Sequence, residues 1–241
     1  MEVLYSIPTL TVRRFRMNQI HALNGLETDL SEAILVVTEG TAELQEEMKS
    51  NVFRMGSQDF CYLPPGDRFS VTKASEKCEI LWASAPATGK FEPYFKKHAD
   101  SERTESGSRD NGTHRVSTRM INRFDKSERL RMGYTEADKG GWTSFPPHRH
   151  DGIPEVYVFT GMGKGFGLQM VWDGGSERTY IVRDGDAVGF NEGYHPNVGD
   201  PSTNLKFYWV LSSDPASPMR TPDGGFTPVI HPGFRDFQDT K

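Results

Sequence analysis

The strongest constraint on this chain is that its two halves carry the same short β-type segments in the same order. AILVVTEGTAEL (33–44) resembles EVYVFTGMGKGFGL (155–168), and SQDFCYLPPGDRF (57–69) resembles DGDAVGFNEGYHP (184–196). Within the second pair Asp59-x6-Gly66 matches Asp186-x6-Gly193, and CEILWASAPA later echoes KFYWVLSSDPA. The segments are broken by Gly, Pro, Asn and Asp, and the chain holds 24 Gly and 15 Pro. Such punctuation, with no long apolar helical pattern, marks short strands joined by turns. ETDLSEAIL and PYFKKHADSER could each form a helical turn or two. A repeated β unit of this size predicts an all-β chain of two barrels or jelly rolls. The 241 residues suffice for two domains of about 100–150 each. The expected division is 1–98 and 119–241, joined by a polar, Gly/Ser-bearing connector over 99–118.

Charge narrows the partners. The formal net charge is -5 and no Lys/Arg-rich run stands out, which argues against nucleic acid. No run approaches the ~18 apolar residues of a membrane span. The first residues lack the apolar core of a signal peptide, so the cytoplasm is the expected location. Cys61 and Cys78 form no CxxC and sit in apolar strand-like segments, which reads as buried free thiols in a reducing compartment.

Against this background one cluster stands out. WTSFPPHRHDGIPEVYVFTG (142–161) holds His148, His150 and, five residues on, Glu155. Residues two apart on a strand point to one face, so His148 and His150 can aim at one point. His195, in DGDAVGFNEGYHPN, supplies a distant third imidazole. Three imidazoles and one carboxylate suit a divalent ion, with zinc first and manganese, iron, nickel or cobalt as alternatives. The set leaves a site of net charge about +1, able to polarise a carbonyl or stabilise an enediolate. Asp151, Tyr157 and Glu192 are candidates to orient the imidazoles. His21, His98, His114 and His231 have no such context and read as structural or solvated.

The repeat supplies a control. Aligned without gaps from the shared turns, His148, His150 and Glu155 fall opposite Glu27, Asp29 and Ile34, and His195 opposite Arg68. The first half therefore carries no metal set and is expected to be a supporting barrel.

HxH-x4-E-x5-G followed by G-D-x4-N-E-G-Y-H resembles the two metal motifs of the cupin superfamily. Asn191 stands where Pro is common, and only Tyr194 separates Gly193 from His195. WTSFPPHRHD, PEVYVFTG, GFGLQMVW and GYHPNVG are similar, more narrowly, to the bicupin isomerases of 5-deoxy-glucuronate and 5-keto-4-deoxyuronate. The likeness covers about Gly141 to Ser213, and the first half matches as a degenerate cupin. PPHRHD, GFGLQ and GYHP look closer to the 5-deoxy-glucuronate branch of myo-inositol breakdown, whereas the short His150-to-Glu155 spacing resembles the other branch.

The resemblance implies two tandem cupin jelly rolls and a metal-dependent aldose–ketose isomerase. The metal would be held by His148, His150, Glu155 and His195, the substrate would be a small sugar acid, and a homo-oligomer is compatible. Tyr157 and Glu192 are the candidate proton carriers. Gln169, Arg183 and Tyr208 are the candidate substrate contacts, Arg183 because a guanidinium suits a carboxylate. Two other readings use the same ligands: a cupin dioxygenase with a redox metal, and a sugar-binding cupin without turnover.

Overall fold

The computed structural model describes residues 1–47, 50–122, 125–213 and 221–222. It divides into two compact units, Met1–Ser101 with Met120–Arg131, and Glu102–Arg119 with Met132–Lys241. His231 and the rest of 223–241 lie outside the described residues. Among the described residues no helix is long and apolar enough to cross a membrane.

The first unit holds β1 (Glu2–Ile7), β2 (Leu10–Arg16), β3 (Leu26–Glu27), β4 (Ser31–Glu39), β5 (Ala42–Glu46), β6 (Asn51–Met55), β7 (Phe60–Leu63), β8 (Arg68–Ala74), β9 (Glu79–Pro86) and β10 (Tyr94–Lys96). One sheet has the order β1-β2-β9-β4-β7-β10 and the other β3-β8-β5-β6. Ala33, Leu35 and Val37 of β4 face a core with Leu44, Cys61, Leu63, Phe69 and Trp82. Because β4 is central and buried on both faces, it reads as a continuous apolar run rather than an alternation. ETDLSEAIL, given room above for a helical turn, is instead the last residue of β3, a tight connection over 28–30 and the start of β4. Pairing with β7 and β9 on either side overrides local propensity. PYFKKHADSER keeps a single 3-10 turn at His98–Asp100.

Two carboxylates staple this unit. Glu32 is fully buried and accepts from the amides of Glu128, Arg129 and Leu130 at 2.7–2.8 Å, from Ser127 Oγ at 3.0 Å and from Tyr62 Oη at 2.9 Å. A buried charge is tolerated when every lone pair is satisfied in this way. Glu128 in turn accepts from the amides of Thr88, Gly89 and Lys90 and from the Thr88 hydroxyl. Burial pushes its carboxyl up, but these donors outweigh burial and hold it down at about 2.

The second unit holds β11 (Glu102–Ser106), β12 (Arg115–Ile121), β13 (Leu130–Lys139), β14 (Trp142–Thr143), β15 (His148–Arg149), β16 (Glu155–Phe159), β17 (Gly167–Trp172), β18 (Glu177–Val182), β19 (Ala187–Phe190), β20 (Asn197–Gly199), β21 (Asn204–Ser212) and β22 (Thr221–Pro222). Strands β12 and β13 also supply the ends of the Met120–Arg131 stretch counted with the first unit. The large sheet runs β11-β12-β13-β21-β16-β19 and the small one β14-β20-β17-β18, with β15 paired to β22. The stretch 99–118, expected from composition to be a connector, contains β11 and the start of β12, which pair from Glu102↔Arg119 to Ser106↔Arg115. Its polar residues alternate on an edge ladder, a pattern that composition alone does not separate from a loop. Two jelly-roll units in an all-β chain agree with the repeat in the sequence.

Two outcomes test the stapling. Glu32→Ala should lower urea-unfolding stability by about 3 kcal/mol or more, because buried amides and a hydroxyl lose their acceptor. The folded pKa of Glu128 is depressed, so its contribution is full above the usual value of 4.5 and lost as pH falls toward about 2. Glu128→Gln should therefore flatten the acid limb of the stability curve in that window.

Candidate metal centre

The centre is built on β16. Its neighbours fix the pleat through Glu155↔Phe190 and Tyr157↔Val188 on one side, and Glu155↔Leu211, Tyr157↔Trp209 and Phe159↔Phe207 on the other. With a period of two, Glu155, Tyr157 and Phe159 face the inside together. Tyr157 and Phe159 join a core with Ile153, Phe190, Phe207, Trp209 and Leu211.

His148 on β15, His150 just beyond it and His195 just before β20 converge there, each offering a ring nitrogen within 4.8 Å of the others'. All are buried, and Glu155 with them. His148 Nδ1 lies 3.3 Å from the Pro146 carbonyl and His195 Nδ1 lies 2.8 Å from the Gly193 carbonyl. A carbonyl oxygen only accepts, so each of these Nδ1 atoms carries a proton toward it, which leaves Nε2 as the ligand atom of each ring. Glu155 Oε2 stands 3.1 Å from Nε2 of both His150 and His195. Neither contact has hydrogen-bond geometry, and Glu155 Oε2 and His195 Nε2 are buried atoms without a hydrogen bond. Three ring nitrogens and a carboxylate crowded round one point, two of these atoms buried without a hydrogen bond, fit a cation rather than one another. With no ion between them, burial pushes the Glu155 carboxyl up, yet the attraction of His150 first and of His195 with it outweighs burial and holds it down at about 2.

The surroundings orient the rings. Phe190 stacks on His195 with centroids 4.8 Å apart and planes at 14°. Tyr157 meets the same ring edge-on at 5.8 Å, and its hydroxyl lies 2.8 Å from Ser144 Oγ. Gly193 has φ 94, and a Cβ there would stand 3.0 Å from the Trp172 carbonyl oxygen. Glycine is thus required where the chain turns to present His195.

The other sequence candidates separate. Glu192 sits exposed on the turn between Phe190 and His195. Gln169 is fully buried, with its amide engaged by the backbone at His195–Pro196 and by Asn197, so it is not presented to a sugar hydroxyl. Arg183 belongs to a turn bonded to Phe159, at the end of β16 away from Glu155, about 13 Å along the strand. There its guanidinium lies 5.9 Å over Phe166. Tyr208 pairs with Val158 and so points to the face opposite Tyr157, where it packs on Tyr134 at 4.9 Å. The structure thus removes Arg183 and Tyr208 from the centre. Asp151 turns to Arg149 at 2.8 Å, and carbonyls orient the imidazoles of His148 and His195. His114 is structural, bonded to Asp138 at 3.0 Å. Phe190, Ser144, Thr143 and Asn197 were missed. Asn197 alone had a signal, two residues beyond His195 on a strand.

In the first unit the shared Asp59/Asp186 turn and the ladders place Ala33, opposite Leu63, where Glu155 stands opposite Phe190. This shifts the ungapped alignment by one residue, from Ile34 to Ala33, and the position is again apolar.

Two jelly rolls, with a histidine-rich cluster inside the second, define a bicupin. The chain matches a Lactobacillus farciminis oxalate decarboxylase with TM-score 0.69 at 11% identity, over 93% of this chain and 82% of that one. It matches an IolB-like protein from Salmonella typhimurium LT2 with TM-score 0.81 at 19% identity, over 92% and 90%. These likenesses show the fold. The chain belongs to the KduI/IolB family, whose pattern matches residues 6–221. Among curated relatives it is 26% identical to a 4-deoxy-L-threo-5-hexosulose-uronate ketol-isomerase from Opitutus terrae, over 67% of this chain. It spans only 60% of that relative's length. It is also 26% identical to a 5-deoxy-glucuronate isomerase from Geobacillus kaustophilus, over 81% of this chain and 75% of the relative.

Gly193→Ala should cost about 1–3 kcal/mol, since a side chain there meets both a strained φ and the Trp172 carbonyl. Thermal unfolding beside wild type measures it.

Proposed function

We propose that this chain is a metal-dependent aldose–ketose isomerase of a deoxy-uronate. The first substrate is 5-deoxy-D-glucuronate, converted to 5-dehydro-2-deoxy-D-gluconate. One observation carries the reading: in a chain of the KduI/IolB family, three buried imidazoles and Glu155 surround one point, with Glu155 Oε2 and His195 Nε2 lacking a hydrogen bond. We assign His148, His150, Glu155 and His195 as ligands of a divalent cation, zinc first. When bound, such an ion supplies Lewis acidity, polarising a carbonyl and lowering the pKa of a neighbouring hydroxyl.

The chain's own residues do the rest. Glu155 brings the negative charge that balances the site, and the Pro146 and Gly193 carbonyls hold Nδ1 of His148 and His195, so that Nε2 would be the ligand atom of each. Ile153, Phe190, Phe207 and Trp209 close the inner side of the centre to water. Moving a proton between C1 and C2 of the sugar needs a group that takes it up and returns it. We assign this to Tyr157, whose hydroxyl shares a hydrogen with Ser144 beside the His195 ring. Glu192, on the exposed turn before His195, is the alternative carrier. A hydride shift would need neither, and full retention of substrate hydrogen in deuterated water would point to it.

A second substrate, 5-keto-4-deoxyuronate, is favoured by the relative named for a hexosulose-uronate and by the short His150-to-Glu155 spacing. Proton NMR of metal-replete protein with each sugar decides. Wild type should convert 5-deoxy-D-glucuronate, and the double variant His148→Ala, His195→Ala should show no turnover. Conversion of the keto-deoxyuronate alone would move the assignment to that sugar. Turnover of neither by protein with metal bound would overturn the isomerase reading.

A further inference from the structure

Gln169 is fully buried beside the centre, and its amide nitrogen is spent on main-chain carbonyls rather than on a ligand side chain. The reason lies in the register. Strands β17 and β20 pair Gln169↔Asn197 and Leu168↔Val198, and the same register continues to the bridge Trp172↔Tyr194. Met170 therefore stands opposite Pro196, and Val171 opposite His195. At Trp172–Tyr194 both ladder bonds form, at 3.0 and 2.7 Å. At Met170–Pro196 only one forms, from the Met170 amide to the Pro196 carbonyl at 3.0 Å. The return bond is impossible because proline has no N–H. The ladder thus has a gap directly after His195.

The Gln169 side chain fills it. Nε2 donates to the Met170 carbonyl at 3.0 Å, the acceptor that Pro196 leaves without a ladder donor. It also reaches the His195 carbonyl at 2.9 Å and the Pro196 carbonyl at 3.2 Å. Carbonyls only accept, so the amide NH2 must face them and Oε1 must face away. Oε1 then accepts from Asn197 Nδ2 at 2.9 Å, and Asn197 Oδ1 accepts from the Thr143 hydroxyl. Thr143, Asn197 and Gln169 lie abreast on β14, β20 and β17, all fully buried. The bonds run in one direction across the sheet and end on the carbonyl of His195.

We propose that Gln169, held by Asn197 and Thr143, is a positioning residue: its amide replaces the donor missing at Pro196 and fixes the main chain from which His195 projects. This rests on the reading of His195 as a metal ligand. It accounts for a buried polar chain where apolar residues would pack at lower cost.

The test is a cycle of Gln169→Leu, Pro196→Ala and the double variant, with zinc affinity measured by chelator competition and urea unfolding measured on metal-free protein. Gln169→Leu should weaken zinc binding by about tenfold or more, as loss of a ligand-orienting group does. Pro196→Ala restores a ladder N–H, so the double variant should bind at least threefold tighter than Gln169→Leu alone and be less destabilised than the two single changes added. If Gln169→Leu does not fold, Gln169→Met keeps the length of the side chain and replaces it throughout. Unchanged zinc affinity in the Gln169 variant, or strict additivity with Pro196→Ala, would overturn the proposal while leaving the metal centre intact. Wild-type protein that takes up no metal would overturn both.

Discussion

The candidate centre depends on the pleat of β16. A strand held on both sides has no freedom to slip, and a slip of one residue would exchange Glu155, Tyr157 and Phe159 for Val156 and Val158. The large aromatic core beneath makes that exchange costly, so the position of one carboxylate is set by the packing of Tyr157 and Phe159. The histidines are placed differently. His148 and His195 sit where ladders are short or interrupted, and their aim comes from carbonyl bonds to Nδ1 and from the Phe190 ring.

The two units show one residue type in two environments. Glu32 and Glu155 are both buried glutamates on inner strands. Glu32 meets only donors, three amides and two hydroxyls, and is spent on holding the chain. Glu155 meets imidazoles whose geometry satisfies no hydrogen bond, so its charge is left to a ligand. The difference is in saturation rather than in burial.

Much of this was legible in the sequence. The ordered repeat gave two β units, and period-two spacing aimed His148 and His150 at one point, with Glu155 five residues on. The barrel context predicted that His195 would join them. What escaped has physical causes. Glu32 finds four of its five donors some 95 residues away, beyond any local pattern. Gln169 looked like a polar group awaiting a sugar because the vacancy it fills is created by Pro196 on another strand. Side-chain chemistry alone nominates Arg183 and Tyr208, but strand phase sends one to the far end of β16 and the other to the opposite face. The edge strand β11 was hidden by a composition that suits a loop equally well.

The two cysteines carry a practical consequence. Both are free and buried, and burial pushes the Cys61 thiol up to about 12 and that of Cys78 up to about 11. Thiolate is the reactive form, so at neutral pH neither offers a nucleophile to an alkylating reagent. The folded wild-type chain therefore behaves toward maleimides as though it had no cysteine. A single cysteine introduced on an exposed turn would take a fluorophore or spin label selectively, without first stripping the native pair from the core.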